Sequence, residues 1–392
     1  MKRTLRIISL FMLNVALSLA LLEVLLRLFA PNMNGQIGVI ARYVTTGQPY
    51  SEAWTPAWQQ NRDHYYILRP NITDELQYGS PNVSFRLSTV ELWEGGGIGF
   101  RTDLINFFVD AVVVGDSFGL CFTERADCWV DLLGQQMDWG MVNLSQPITG
   151  TTSHYRILRD FGAPLKPPTV IWQFFGNDFN DDYGLAVFNR EISAFSEGET
   201  VCPDAPPSSE LAKVLRETSV LYAILETFAN GRYLGAPTDN CEFEKPYSVR
   251  YGNENQYVMQ FGGLYEQKAL DMARPENQDG LERSMVALKQ AQELVNTWNG
   301  DFLIVIIPTR EEVYSPLTAP IMGEEAIVRL ASARLAMLDV CEEMALRCFD
   351  AIDVFTERAE RGESLYHVDD MHLNVHGNAV LAEAIAQLLN DN

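Results

Sequence analysis

An α/β fold, a parallel sheet covered on both faces by helices, is predicted by three observations. Short β-branched runs alternate with amphipathic stretches from Asp110 onward, the rhythm stops at Asp181, and it resumes near Asp279. Strands that alternate with helices must be joined by helical crossovers, which makes neighbouring strands parallel and covers both faces of the sheet.

In order along the chain, Ala111 to Val114 is a buried strand, an unbroken apolar run rich in β-branched residues. Trp129 to Met137 reads as a helix, Met141 to Leu144 as a strand, Thr152 to Phe161 as a helix and Val170 to Phe175 as a third strand. After the break come a helix from Asp279 to Trp298, the strand Phe302 to Ile307, a helix from Glu324 to Ala345, the strand Cys348 to Ile352 and a last helix from about Gly377 to Leu389. The interval 182–278 holds Pro203, Pro206, Pro207, Gly231, Gly235 and Pro237 around one helical piece, Ser209 to Phe228. That composition predicts a cap inserted over the end of the sheet.

The N-terminus predicts a membrane segment. Lys2, Arg3 and Arg6 precede an apolar stretch from Ile7 to Leu26, interrupted by Asn14, Ser18 and Glu23. Twenty helical residues at about 1.5 Å each reach roughly 30 Å, the thickness of a bilayer core. Basic residues ahead of the segment hold that end in the cytoplasm, so the chain after Pro31 is expected outside. The competing reading is a signal peptide cleaved after Ser18-Leu19-Ala20. Cleavage there would leave Leu21, Leu22, Val24, Leu25 and Leu26 as an apolar terminus, which favours the anchor. The expected organisation is therefore an anchor over 1–30, an extracytoplasmic stalk over 31–98 with no sustained helical period, and a domain over 99–392 with its cap insertion at about 182–278.

With 392 residues, 47% of them hydrophobic, the chain can bury a large core, and disorder is excluded. Its 29 basic and 52 acidic residues leave a formal charge of −23, which repels phosphate backbones and argues against nucleic acid as a partner. The six cysteines fall into three local couples, Cys121 with Cys128, Cys202 with Cys241, and Cys341 with Cys348, and an exported chain is expected to pair them. No Cys/His group has zinc-ligand spacing, and neither a metal nor a cofactor is expected.

The chemistry concentrates at the carboxyl ends of the strands, where ligands bind in open α/β sheets. Ala111-Val112-Val113-Val114 runs into Gly115-Asp116-Ser117-Phe118-Gly119, which presents a serine as the chain turns toward a helix. A serine hydroxyl needs a base to become nucleophilic and N–H donors to hold an oxyanion. Asp116 or Ser117 could equally cap the following helix. Asn143-Leu144-Ser145 with Gly150-Thr151-Thr152, and Phe175-Gly176-Asn177-Asp178, reach the same edge after the second and third strands. Near the C-terminus, Tyr366-His367-Val368-Asp369-Asp370-Met371-His372-Leu373-Asn374 places a base and its orienting carboxylate on one loop.

In this order the pieces resemble the SGNH (GDSL-like) hydrolase family, over roughly residues 99 to 390. Ser117 matches the first block, Gly150 the second, Asn177 the third and His372 the last. The resemblance implies a flavodoxin-like, three-layer α/β/α fold and acyl transfer through a serine ester. It makes Ser117 the nucleophile, His372 its base, and the Ser117 and Gly150 N–H groups with the Asn177 amide the oxyanion donors, supported by Asp116 and Asp178. Two acids compete for the third place. Asp369 has the family's Asp-x-x-His spacing, whereas Asp370 has the Asp-x-His spacing of alginate O-acetyltransferase-like members. Gly99-Phe100-Arg101 and Ile307-Pro308-Thr309 also look like stretches of membrane-anchored bacterial members. The implied partner is an acylated small molecule or polysaccharide, with water as acceptor in an esterase and a sugar hydroxyl in an O-acetyltransferase. A polysaccharide-binding protein of the same fold without activity is the third alternative. His64, His154, His367 and His376 are expected in structural or solvated roles, and Thr309, Arg310 and Glu311 are candidates to line the cleft.

Overall fold

Five of the apolar runs form one parallel sheet in the computed structural model, which describes residues 2–30, 33, 35–46, 57–80, 83–93, 95–105, 108–195, 210–230, 247–252 and 257–391. The strands are β1 (Ala111–Val114), β2 (Met141–Asn143), β3 (Thr169–Phe174), β4 (Asp301–Ile306) and β5 (Arg347–Asp350). Every residue of β1 and β3 is buried, as expected of strands covered on both faces, whereas β5 pairs only with β4 and is half-buried.

The strand order is β2-β1-β3-β4-β5. Register fixes the edge: Val114 lies opposite Trp172, and Phe174 opposite Ile306, so the loops after β1, β3 and β4 leave the sheet at one level. Between β1 and β3 the order reverses direction. That reversal opens a crevice at the carboxyl ends of the strands, the place where this strand order binds ligands.

The chain divides into two compact units, one of residues 1–56 with 197–244 and one of 57–196 with 245–392. In the first, α1 (Lys2–Phe29) carries the apolar stretch Ser9–Phe29, of mean hydropathy 2.1 and unburied over its most apolar window. Its end packs with α2 (Gly35–Thr46) and with the helices Glu210–Thr218 and Val220–Asn230 around Ala30, Ile40, Ala41, Val220, Ala223 and Ile224. No helical period is visible over 31–98, yet α2 forms there. Its glycines and β-branched residues are poor helix formers, and the burial of Ile40 and Ala41 supplies what propensity does not. The single helix read over 209–228 is two helices, broken at Ser219, whose Oγ accepts from Tyr222 N at 3.2 Å and caps the second.

The second unit holds the sheet. Helix α3 (Trp129–Met137) packs on α8 (Val375–Asn390), while α4 (Thr151–Ile157) and α5 (Asp178–Phe188) pack on α6 (Pro275–Asn296). Right-handed crossovers put these two sets on opposite faces, giving three layers. Helix α7 (Glu324–Glu343) connects β4 to β5. From the interval 182–278, the hairpin Tyr247–Tyr251 with Tyr257–Phe261 belongs to this unit, whereas 197–244 groups with the first. Cys121 is bonded to Cys128 and Cys341 to Cys348, while Cys202 and Cys241 lie outside the described residues.

The hairpins Trp58–Asn61 with Tyr65–Leu68 and Glu75–Ser80 with Val83–Leu87 build a smaller core of Leu68, Val83, Phe85 and Leu87, into which Leu120 and Phe122 are buried. Arg101 closes it. Its guanidinium, 2% exposed as a residue, lies over the Phe85 ring and donates to the carbonyls of Leu120, Cys121, Thr123 and Arg86 at 2.7–3.1 Å. Burial lowers its pKa to about 10, which still leaves it charged. Among its acceptors, Cys121 holds a positive φ of 63°, a conformation that costs of order 1–3 kcal/mol and persists only where its surroundings hold it. Arg101→Leu strips partners from four carbonyls. It should lower unfolding free energy by roughly 3 kcal/mol or more, read as a lower urea midpoint at unchanged slope.

Candidate active site

Ser117 opens a four-residue helix, Ser117–Leu120, immediately after β1. Asp116 caps that helix, its Oδ1 accepting from Phe118 N at 2.8 Å, so the cap falls to Asp116 and the Ser117 hydroxyl is left for another partner. That partner is His372: Ser117 Oγ lies 2.7 Å from His372 Nε2. On the other side of the ring, His372 Nδ1 lies 2.5 Å from Asp370 Oδ1, which also accepts the His372 backbone N–H at 2.9 Å. Of the two acids offered by the sequence, Asp370 makes these contacts.

Burial opposes the charge on Asp370, but the His372 imidazole and its two hydrogen bonds outweigh it and bring the carboxyl down to about 2. Asp370 is therefore an anion throughout the working range of a protein, and its bond to Nδ1 leaves Nε2 as the acceptor facing Ser117. The imidazole is held between two rings, Phe122 stacked at 3.9 Å between centroids and Phe118 at 4.6 Å. Ser117 and His372 are 5% and 6% exposed, so water reaches the pair sparingly.

The loop is fastened from several sides. Arg310 donates to the Asp370 carbonyl at 2.9 Å, and Gln260 N, in the 257–261 strand, donates to the Val368 carbonyl at 2.7 Å. Arg310 and Glu311, candidates to line the cleft, are buried instead and ion-paired, Arg310 contacting Glu311 at 3.3 Å and Glu266 at 3.4 Å. Thr309 forms a capping box with Glu312. Of the other histidines, His64 and His154 are buried and brought down by that burial to about 4 and about 3. His367 Nε2 meets the Phe122 carbonyl at 3.2 Å, and His376 meets Glu363 at 2.6 Å on the surface.

Asn177 stands at the end of β3, on the other side of the crevice from β1. Its Nδ2 donates to Asp181 Oδ2 at 3.1 Å and to the Tyr265 hydroxyl at 3.2 Å. Gly150 caps α4, and a Cβ there would lie 2.3 Å from the Asp178 carbonyl and 2.6 Å from Asp182 Oδ1, so only glycine allows the β2 loop to approach α5 this closely. Sequence reasoning missed Phe122, Tyr265, Gln173 and the acids Asp181 and Asp182. An aromatic five residues beyond the serine of the β1 turn carries no chemical signature of its own, and Tyr265 arrives from a segment with no motif.

Beneath Asn177 lie four buried aspartates. Burial raises the pKa of Asp116, and raises Asp178 and Asp181 well above the ordinary range, with neighbouring acids adding to it. Asp182 is pushed up to about 7 by burial, against hydrogen bonds from Ser284 and Thr152. His154 Nδ1 lies 3.8 Å from Asp178 Oδ2, but burial disfavours the charge on both groups, which weighs against an ion pair. Among the described residues no cluster has the makings of a metal site.

No protein-family model matches the sequence, and no curated protein matches it. Solved structures similar to it include a protein described as lipolytic and of the G-D-S-L family from Desulfitobacterium hafniense, at 13% identity and a TM-score of 0.36, over 71% of this chain and 99% of that one. Others are an acetyl xylan esterase, at 9% and 0.35 over 71% and 99%, and an aryl esterase of M. smegmatis, at 12% and 0.35 over 72% and 99%. At this identity and overlap the likeness lends this chain no chemistry.

The buried acids make stability pH-dependent with a definite sign. An aspartate with a raised native pKa binds a proton that the unfolded chain, near 3.9, has already released, so stability falls as pH rises toward the native value. The buried histidines act oppositely, and because their unfolded value is about 6.5 they already cost stability as pH falls through about 7. The share of one acid is therefore read by comparing the parent with a variant that lacks it. Asp182 by itself should contribute about 1 kcal/mol of added stability on going from pH 8 to 6.5. Urea midpoints measured across that range should favour the parent over Asp182→Asn increasingly on acidification, since the variant keeps the histidines and an oxygen for Thr152 but lacks the titrating acid.

Proposed function

We propose that this chain is a membrane-anchored, extracytoplasmic serine esterase that cleaves a carboxylic ester, a carbohydrate-linked acyl group in the first instance, through an acyl-enzyme. The observation that carries the reading is the unbroken line from Ser117 Oγ through the His372 ring to Asp370, with contacts of 2.7 and 2.5 Å. In the first step His372 Nε2 takes the Ser117 proton as Oγ bonds to the ester carbonyl carbon. The imidazolium so formed is stabilised by the Asp370 anion and by the faces of Phe118 and Phe122. Collapse of the tetrahedral adduct breaks the bond to the alcohol, which leaves with the proton from Nε2. Water then attacks the acyl-serine with His372 as base again, releasing the acid and restoring Ser117.

The developing oxyanion is received by the Ser117 N–H, which heads its helix and has no partner within it, with the Gly150 N–H and the Asn177 amide as further donors. Both amide hydrogens of Asn177 are engaged in the resting site, so its donation requires release from Tyr265 or Asp181. Asp116 and Asp178 support the site as buried groups whose carboxyls burial pushes up. For location, the apolar α1 behind basic residues supports an anchor, and two disulfides fit an oxidising compartment.

A second reading, acyl transfer to a sugar hydroxyl, is favoured by one observation. The acid on Nδ1 is Asp370, two residues before His372, which is the spacing that resembles alginate O-acetyltransferase-like members. The two readings separate on the acceptor. With p-nitrophenyl acetate and an oligosaccharide, acetyl-sugar outrunning free acetate would select transfer.

Ser117→Ala should abolish turnover of p-nitrophenyl acetate and labelling by a fluorophosphonate probe, and a variant as fast as the parent would end the serine mechanism. Asp370→Asn should lower kcat by about 10⁴, the loss seen when the acid of such a triad cannot hold the tautomer. Asp369→Asn should stay within about tenfold of the parent. Asn177→Ala should cost roughly 100- to 1000-fold in kcat with little change in KM, since an oxyanion donor acts on the transition state.

A further inference from the structure

The apolar helix α1 contains one carboxylate, Glu23, six residues before its end at Phe29. At 1.5 Å per residue that is about 9 Å along the helix. If Ser9–Phe29 crosses the bilayer, as the proposed anchor requires, Glu23 lies inside the outer boundary, where a carboxylate needs partners of its own.

It has four. Glu23 Oε1 accepts from Val220 N at 3.0 Å and from Arg27 Nε at 2.8 Å, and Oε2 accepts from Ser219 Oγ at 3.0 Å and Leu221 N at 2.9 Å. Arg27 also donates to the Thr218 carbonyl. The carboxylate thus receives the first N–H groups of helix Val220–Asn230, which a bilayer boundary would leave without water, and meets the positive end of that helix. Leu26 packs beside it on the core that contains Val220, Ala223 and Ile224. Because α1 is one rigid helix, whatever is bound at Glu23 must sit at the depth of Glu23.

We infer that the helical pair 210–230 is a second membrane-contacting element, seated on Glu23 and lying in the outer interface of the bilayer. Two features fit that occupant. Leu211, Val214 and Leu225 are 67%, 52% and 58% exposed, leaving aliphatic surface open beside the span. Helix Val220–Asn230 carries one charged residue, Glu226, and it is neutralised by a two-pronged bond to Arg216 at 2.6 and 2.7 Å. Helices of nine and eleven residues are too short to cross, so they lie in the interface. The chain's net charge of −23 makes this contact one with acyl chains and zwitterionic headgroups, not with anionic lipid.

The inference rests on the proposed anchor, and one experiment separates the two. The full chain is placed in phosphatidylcholine nanodiscs containing doxyl-labelled lipid, with an environment-sensitive fluorophore on a single introduced cysteine and the parent chain as background. Leu17→Cys reports the span, Leu225→Cys and Val214→Cys the helical pair, and Val328→Cys an exposed site elsewhere. The expected result is at least twofold quenching at 17, 214 and 225, with none at 328. Quenching at 17 without quenching at 214 and 225 overturns the inference and leaves the anchor standing. No quenching at 17 overturns both. Adding Glu23→Leu to Leu225→Cys should reduce the quenching at 225 while that at 17 persists, and undiminished quenching would remove Glu23 as the seat.

Discussion

The site depends on one side chain in the middle of the sheet. Gln173, on β3, sends its Oε1 across to β1, where it accepts Asp116 N and Gly119 N, each at 3.0 Å. These are backbone donors on either side of Ser117, and a buried donor without a partner costs about 1–3 kcal/mol, so the turn has one low-energy position relative to the sheet. The two glycines of Gly-Asp-Ser-Phe-Gly let the turn lie this close to its neighbours, Gln173 at the first and Ser145 at the second. A Cβ at Gly115 would lie 2.3 Å from Gln173 Oε1, and one at Gly119 would lie 2.1 Å from Ser145 Oγ. From the far side Asn143 Nδ2 donates to the Gly119 carbonyl at 2.8 Å, so the turn is held by β2 as well as β3. The serine is therefore placed by its neighbours' constraints and keeps its own hydroxyl free to meet the imidazole.

The imidazole is placed by a different principle. Its loop contributes little regular structure, only a bridge between Tyr366 and Leu373, and is held instead by outside groups reaching its backbone. Asn374 Nδ2 donates to the carbonyls of Ser364 and Tyr366 at 2.9 Å, Arg310 holds Asp370, and Gln260 holds Val368. With His372 and Asp370 two residues apart, their mutual geometry is a local property of the loop. Only the distance between two bodies, the β1 turn and this loop, is left for the tertiary structure to set. Phe122 spans that gap, with its ring on His372 and its backbone held beside the carbonyls that bind Arg101.

How much of this was legible in the sequence follows from the range of each interaction. The strands were legible because burial on both faces demands apolar runs, and the strand boundaries differ from the expected ones by a residue or two. Ser117 and His372 were singled out by residue type at the end of a strand and in a loop, and the structure brings them into contact. The spacing before His372 left two acids open, since both can reach an imidazole and only the loop's path chooses between them. Arg101 stood in a stretch noted for its likeness to other sequences, but its four carbonyl partners could not be read, because backbone acceptors carry no residue identity. Helix α2 was illegible for the opposite reason: its stability comes from residues near 220, about 180 positions away. The partnership of Glu23 with Ser219 spans the same distance.

Five aspartates at the site, four of them buried, show what sets the direction in which a carboxyl group shifts inside this protein. Burial pushes all of them the same way. Asp370 alone ends below the ordinary range: His372 donates to it twice over, through ring and backbone, and adds the attraction of its charge, which Asp116 feels without those bonds. Asp178 has neighbours of its own sign, and neither of its oxygens has a hydrogen-bond partner among the described residues. At Asp182 the donors Ser284 and Thr152, with the weaker pull of Arg283, leave the carboxyl at about 7. At Asp370 the imidazole's charge together with its two hydrogen bonds outweighs burial. The arrangement puts on the imidazole the one carboxyl of the group that is held below the ordinary range, while the four acids raised by burial lie elsewhere at the site. A proton moving onto His372 Nε2 then meets the Asp370 charge across the same ring.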